Sequence, residues 1–267
     1  MSKGLYYKTK EEIELIRESS LLVAKALAEV AKVIKPGMTT LALDKIAYDF
    51  ICDNQAVPAF LNHNGFPNSL CISVNAQVVH GIPGKYELKD GDIVSVDCGV
   101  VKNKFFGDSA YTFAIGEVKP EVLKLLKVTK ESLYKGIELT VAGKRLGDVG
   151  DAIQQHAESN GFSVVRELVG HGIGKKLHEA PEVPNYGKKG TGLKLEEGLV
   201  IAIEPMINLG KKTVTQDNDG WTIRTADNLP SAHFEHTVTV GKEKADVLSS
   251  FEYIEEALKK SKDVMTY

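Results

Sequence analysis

Leu88-Lys89-Asp90-Gly91-Asp92-Ile93-Val94-Ser95-Val96-Asp97 is echoed by Leu195-Glu196-Glu197-Gly198-Leu199-Val200-Ile201-Ala202-Ile203-Glu204, as if one had been edited into the other. Each stretch is an acidic turn about a glycine, then a β-branched run that ends on a carboxylate. A His-Gly-Ile triplet precedes each, His80-Gly81-Ile82 and His171-Gly172-Ile173. A second acid heads the strand that follows each, Asp108 before Tyr111-Thr112-Phe113 and Glu235 before Thr237-Val238-Thr239-Val240. A duplicated unit that delivers two acids per copy to one topological place predicts a pseudo-twofold site with four carboxylates. Without counter-charge such a cluster repels itself strongly, so the pattern asks for cations and reads as a two-metal enzyme.

At 267 residues the chain can bury a large core. The duplication favours one catalytic domain over 1–267, built of two pseudo-symmetric halves at about 9–118 and 119–245, because each copy supplies half a site. A formal net charge of -3 with interspersed signs gives no reason to expect nucleic-acid binding. Cys52, Cys71 and Cys98 form no C-x-x-C pair, which argues against a cysteine-based zinc finger and for reduced thiols in the cytoplasm. No apolar run approaches the ~18 residues of a membrane span, and no signal peptide is read at the N-terminus.

Thr9-x-x-Glu12 is a capping box opening a helix whose stripe of Ile13, Ile16, Val23, Leu27, Val30 and Ile34 runs to Pro36-Gly37. A second helix follows Thr39-Thr40 with Leu43, Ile46, Ala47 and Phe50. The second half repeats the plan, with Pro120 in a first turn ahead of Val122, Leu125, Leu126, Leu133 and Ile137. Its last helix turns Val149, Ile153 and Ala157 inward and ends at Gly161. Two helices plus hairpin material per half predict an α/β (α+β) fold, one continuous antiparallel sheet flanked by helices. A two-residue turn at Lys102-Asn103 would pair Val101 with Lys104 and set Asp97 directly opposite Asp108. Two acids forced face to face again call for a metal pair.

The candidate ligands are Asp97, Asp108, His171, Glu204 and Glu235. Mixed carboxylate and imidazole donors suit Mn, Fe, Co or Zn better than Mg or Ca. Bridging or bidentate carboxylates let five ligands hold two divalent ions with positions left open for water and substrate. His171 lies within Gly170-His171-Gly172-Ile173-Gly174, a tight turn rather than a helix.

Together, His80-Gly81-Ile82-Pro83, Asp97, Gly107-Asp108, Gly170 to Gly174, His178-Glu179-x-Pro181-x-x-Pro184-Asn185, Glu204-Pro205 and Phe234-Glu235-His236-Thr237 resemble a type I methionine aminopeptidase of the bacterial kind. The resemblance covers essentially the whole chain. It implies the pita-bread fold with a central dinuclear metal site, ligands at the five positions above, and catalytic histidines at His80 and His178. The gap between His178 and Glu204 is too short for the helical insert of type II enzymes, and a zinc-binding N-terminal extension is not expected. Gly99, Leu177 and His63 depart from the commoner threonine, phenylalanine and tyrosine, which touches pocket shape and metal support but removes no ligand.

The implied activity is removal of the N-terminal methionine of nascent chains when the second residue is small. The expected mechanism is attack of a metal-bridging water on the scissile carbonyl, with Glu204 as general base, His178 stabilising the oxyanion and His80 contacting the peptide nitrogen. A methionine pocket is expected from Phe60, His63, Phe66, Cys71, Leu177 and Trp221, together with His80 and His178. The protein is expected to be a monomer. A transient ribosome contact fits action on nascent chains, although Asp217 and Asp219 dilute the lysine patch around Lys211-Lys212. His156 and His236 read as structural. The rivals are an Xaa-Pro aminopeptidase or prolidase, which usually carries a further N-terminal domain, and a metal-free or catalytically dead relative, which would have lost ligands.

Overall fold

The computed structural model describes residues 4–267. Helix α1, Lys10–Val33, opens on Thr9, whose hydroxyl accepts from the Glu12 amide while the Glu12 carboxylate accepts from Thr9 N. That reciprocal cap is the one the sequence predicts. Helix α2, Thr40–Asp53, is capped by the Thr39 hydroxyl. Pro120 occupies the first turn of α3, Pro120–Glu138, and α4 spans Leu146–Ser159. A short α5, Glu252–Leu258, follows the last long strand.

All named strand pairs are antiparallel, and they divide into two five-stranded and two three-stranded ladders. The first large ladder is built on the hairpin Ile93–Lys102 and Phe105–Ile115, with Leu70–Val74, Val57–Pro58 and Val264–Met265 alongside. The second centres on Val200–Ile203 between His236–Thr239 and Gly170–Gly172. The expected continuous sheet is interrupted where these two meet, and hydroxyls stitch the seam. Thr237 Oγ1 donates to Asp108 O at 2.8 Å, Ser109 Oγ to Glu235 O at 2.7 Å, and Glu235 N to Ala110 O at 3.0 Å. Asp108 and Glu235 therefore face each other from the two halves of the chain across one seam.

The hairpin register differs from the sequence-based expectation. Lys102 pairs with Phe105, Asp97 with Ala110 and Gly99 with Asp108. The turn is Asn103-Lys104, with φ of 52° and 68° at the two residues. A two-residue turn with both central φ positive matches the strand twist, and it places Asn103 first rather than second. The parity of the side chains is unchanged, so Asp97 and Asp108 share a face as diagonal neighbours instead of direct partners.

Helix α1 presses on this hairpin where Gly107 leaves room: a Cβ there would lie 2.3 Å from Ser20 N. One contiguous core joins Leu27 of α1, Phe113 of the hairpin, Leu126 of α3 and Phe234 beside the seam. Both hairpin strands, which carry Asp97 and Asp108, are thus held from behind by α1.

Candidate metal centre and active site

Asp97, Asp108, His171, Glu204 and Glu235 line one cavity of about 210 Å³. Ligand atoms of Asp108, His171 and Glu235 all lie within 4.8 Å of one another. His171 Nε2 is 3.6 Å from Glu204 Oε1 and 3.9 Å from Asp108 Oδ2. Asp97 Oδ1, Asp108 Oδ1 and Glu235 Oε1 are buried with no hydrogen-bond partner among the described residues. No lysine or arginine among the described residues lines the cavity. Orphaned, buried carboxylate oxygens without a basic neighbour are what a divalent cation satisfies, so the donor set fits metal.

The electrostatics agree. Burial pushes Asp97 up to about 7. Asp108, Glu204 and Glu235 rise well above the carboxylate range, first by burial and then by the charges of the other acids. Burial, with His178 beside it, pulls His171 down to about 3, which leaves a neutral imidazole. Its Nδ1 lies 3.0 Å from Gly172 O, so that nitrogen carries the proton and Nε2 faces the acids as an acceptor.

His178 stands at the mouth of the cavity, its ring edge-on to His171 at 4.4 Å and to His63 at 5.3 Å. Burial lowers His178, helped by His63 and His80, and burial alone lowers His80. The far wall is apolar. Phe66 and Trp221 meet edge to face at 5.2 Å, and Phe60, Cys71 and Leu177 are buried in the same cluster. Burial, then Asp97, raises the Cys71 thiol well above its usual value, so it is a protonated wall group rather than a nucleophile. Trp221 is set by Asp219, whose carboxylate accepts from the amides of Trp221 and Thr222. Asp217 pairs with Arg224 at 2.8 Å. Both acids that dilute the lysine patch therefore have local structural partners.

All the residues expected from the sequence to form the site meet in this one cavity. One other residue lines it, and a second lies behind Glu204 without lining it. Asn64 lines the same wall from a left-handed turn at φ 50°, for which the Asn-rich loop was the available signal. His233 is fully buried, with Nε2 3.7 Å from Glu204 Oε2. Thr112 Oγ1 grips its backbone at both N and O. Only the tertiary contact reveals it, because His233 and Glu204 are far apart in sequence. His156 pairs with Glu131 on the surface, and His236 stacks on Phe251 with Nδ1 2.6 Å from Ser249 Oγ.

Residues 14–242 match the model of metallopeptidase family M24. The methionine aminopeptidase of Clostridium perfringens is 51% identical over 242 residues, covering 91% of this chain and 97% of its own. A solved methionine aminopeptidase from Rickettsia prowazekii superposes with a TM-score of 0.91 at 40% identity, over 92% of this chain and 100% of that one. The prolidase of Pyrococcus furiosus reaches a TM-score of 0.74 at 22% identity, and only 66% of its length is matched, a likeness of fold alone. The pita-bread architecture, the full set of acids and the matched length converge: the chain belongs to metallopeptidase family M24 and, within it, to the methionine aminopeptidases.

Proposed function

We propose that the protein cleaves the N-terminal methionine from polypeptides whose second residue is small, using two divalent ions drawn from Co, Mn, Fe and Zn. The observation that carries this is the set of partnerless, buried carboxylate oxygens opening onto an aromatic slot. Asp97, Asp108, His171, Glu204 and Glu235 would hold the ions. Bound there, divalent ions supply Lewis acidity and make water a competent nucleophile at neutral pH. Glu204, at the inner end of its strand with His233 behind it, would accept a proton from the attacking water. His178, at the mouth, donates to the carbonyl oxygen as negative charge develops on it. A lowered pKa keeps its imidazole neutral at pH 7, so the ring donates through one N–H. His80, on a left-handed backbone at φ 58°, contacts the peptide nitrogen and assists its departure.

The unbranched thioether fits the slot of Phe60, Phe66, Cys71, Leu177 and Trp221, with His63 at its rim. Two pseudo-symmetric halves, about 9–118 and 119–245, form one catalytic domain around the site. No helix among the described residues is long and apolar enough to cross a membrane. The reading places a monomer in the cytoplasm, acting on nascent chains with a transient ribosome contact. Turnover of Met-Ala, Met-Gly and Met-Ser peptides against Met-Leu, Met-Lys and Xaa-Pro peptides tests the assignment. Fast cleavage of the first three supports it, and faster Leu- or Pro-directed cleavage overturns it.

A further inference from the structure

His178 makes no side-chain hydrogen bond with the described residues, and it is exposed at the cavity mouth. Two edge-on ring contacts alone do not fix an imidazole, so its aim must come from the backbone that carries it. That backbone is the loop between Gly172 and the strand Glu179–Val183. The loop is wound about one carboxylate. Glu179 Oε1 accepts from Lys175 N at 2.8 Å and from Lys176 N at 3.1 Å, closing a ring of atoms around the residues just before His178.

The other oxygen of Glu179 receives Lys8 Nζ at 2.7 Å. Lys8 comes from the segment ahead of α1, and its side chain is wholly buried, at 0% exposure against 11% for Glu179. Its ammonium also donates to Tyr6 O at 3.1 Å, and its amide donates to Gly198 O at 2.8 Å. Gly174 makes the approach possible, since a Cβ there would fall 2.6 Å from Lys8 Cε and 2.9 Å from Glu179 Oε1. An outer layer closes the group: Tyr6 hydroxyl donates to Glu12 at 2.6 Å, and Lys175 Nζ lies 2.9 Å from the same carboxylate.

Burying an ion pair rarely adds stability over an apolar pair of the same size, because desolvation offsets the attraction. The best reason to bury one is the geometry it imposes. This pair fixes the residue directly after His178 and the two amides directly before Leu177. We propose that Lys8 and Glu179 are a positioning pair that sets the aim of the His178 imidazole. The proposal rests on the reading of His178 as donor to the scissile carbonyl oxygen.

The test is a double-mutant cycle on the metal-loaded full chain, with a Met-Ala-Ser peptide and the metal content measured for every variant. Lys8→Met should lower kcat by about 10-fold to 100-fold, the scale of a small misplacement of a reacting group, with KM and metal content little changed. Lys8→Arg should recover part of that loss. In a His178→Ala background, which should itself cost roughly 10²–10³-fold, Lys8→Met should cost less than about twofold, because there is no imidazole left to aim. If Lys8→Met does not fold, Glu179→Gln, which keeps an acceptor for the two amides and removes the charge, carries the same comparison. An equal loss in both backgrounds, or loss of metal in Lys8→Met, overturns the positioning role while leaving His178 as donor. A His178→Ala enzyme as fast as the parent overturns the donor reading and the proposal with it.

Discussion

The ring of Phe60 lies where the side chain of residue 99 would project: a Cβ on Gly99 would fall 2.6 Å from Phe60 Cε1 and 3.0 Å from Ala59 Cβ. Gly99 is paired with Asp108 across the hairpin, so the pocket wall and the acids meet at this point. The missing side chain at 99 is thus the counterpart of a large one at 60. Gly99→Thr should cost about 1–3 kcal/mol by overpacking and lower kcat/KM for methionyl peptides. Phe60→Ala, itself costly, should cost less in the Gly99→Thr chain than in the parent, because it frees the space the threonine needs. Thermal melts of the two single variants and the double read this directly. Additive losses would show that the two positions do not share the space.

Metal should stabilise the protein more at high pH than at low pH. In the metal-free fold the acids are raised, Asp97 to about 7 chiefly by burial, above the unfolded carboxylate value of roughly 4. A carboxyl raised on folding binds its proton more tightly in the native state, so native stability falls as pH rises between the two values. The metal-free melting temperature should therefore drop by several degrees between pH 5 and pH 8, and saturating Mn²⁺ should abolish the drop. Parallel pH profiles with and without metal would contradict this.

Glu204→Gln removes the proton acceptor while keeping the shape. Turnover should fall by roughly 10²–10⁴-fold, the range for a positioned general base. Single-turnover rates corrected for bound metal are the measurement. A loss below tenfold at full metal occupancy would assign the proton to another group, and His233, 3.7 Å from Glu204 Oε2, is too deeply buried to reach solvent in its place.

The C-terminal segment braces the site from behind. Val264–Met265 pairs with Ile115 and Ala114 at the end of the acid-bearing hairpin strand. The Tyr267 hydroxyl donates to Thr112 O, and its ring lies 6.2 Å from that of Phe234, next to Glu235. This segment lies beyond residues 14–242, the stretch matched to the family. Tyr267→Ala should cost about 2 kcal/mol, below the roughly 3–5 kcal/mol for a fully buried aromatic side chain because this one is half-buried. Denaturant melts with Tyr267→Phe as control separate the ring from the hydroxyl, and an unchanged midpoint for Tyr267→Ala would remove the bracing role.

Much of the fold was legible because its signals are local. The Thr9–Glu12 cap, Thr39 and Pro120 each act within one turn of helix, and each appears where the sequence places it. The five acidic and imidazole positions were legible because the duplication repeats them in register with strand ends, and the cavity collects all five. The hairpin register was not, since it depends on Lys104 taking a positive φ that composition does not announce. Nor was the seam between the two large ladders, where the hydroxyls of Ser109 and Thr237 join a single backbone bond from Glu235 to Ala110. Contacts such as His233 with Glu204, Phe60 with Gly99, and Lys8 with Glu179 join residues with no sequence periodicity in common. Only the folded chain can show them.

If the acids around His171 hold divalent ions, no methionine is released without them. The direct measurement strips the protein of metal, verifies the stripping by elemental analysis, and follows release of methionine from Met-Ala-Ser as Mn²⁺, Co²⁺ or Fe²⁺ is added back. The stripped protein should show no detectable turnover and should recover as the ions bind, with Asp108→Asn failing to recover at the same concentrations. Undiminished turnover in protein shown to be metal-free would contradict this.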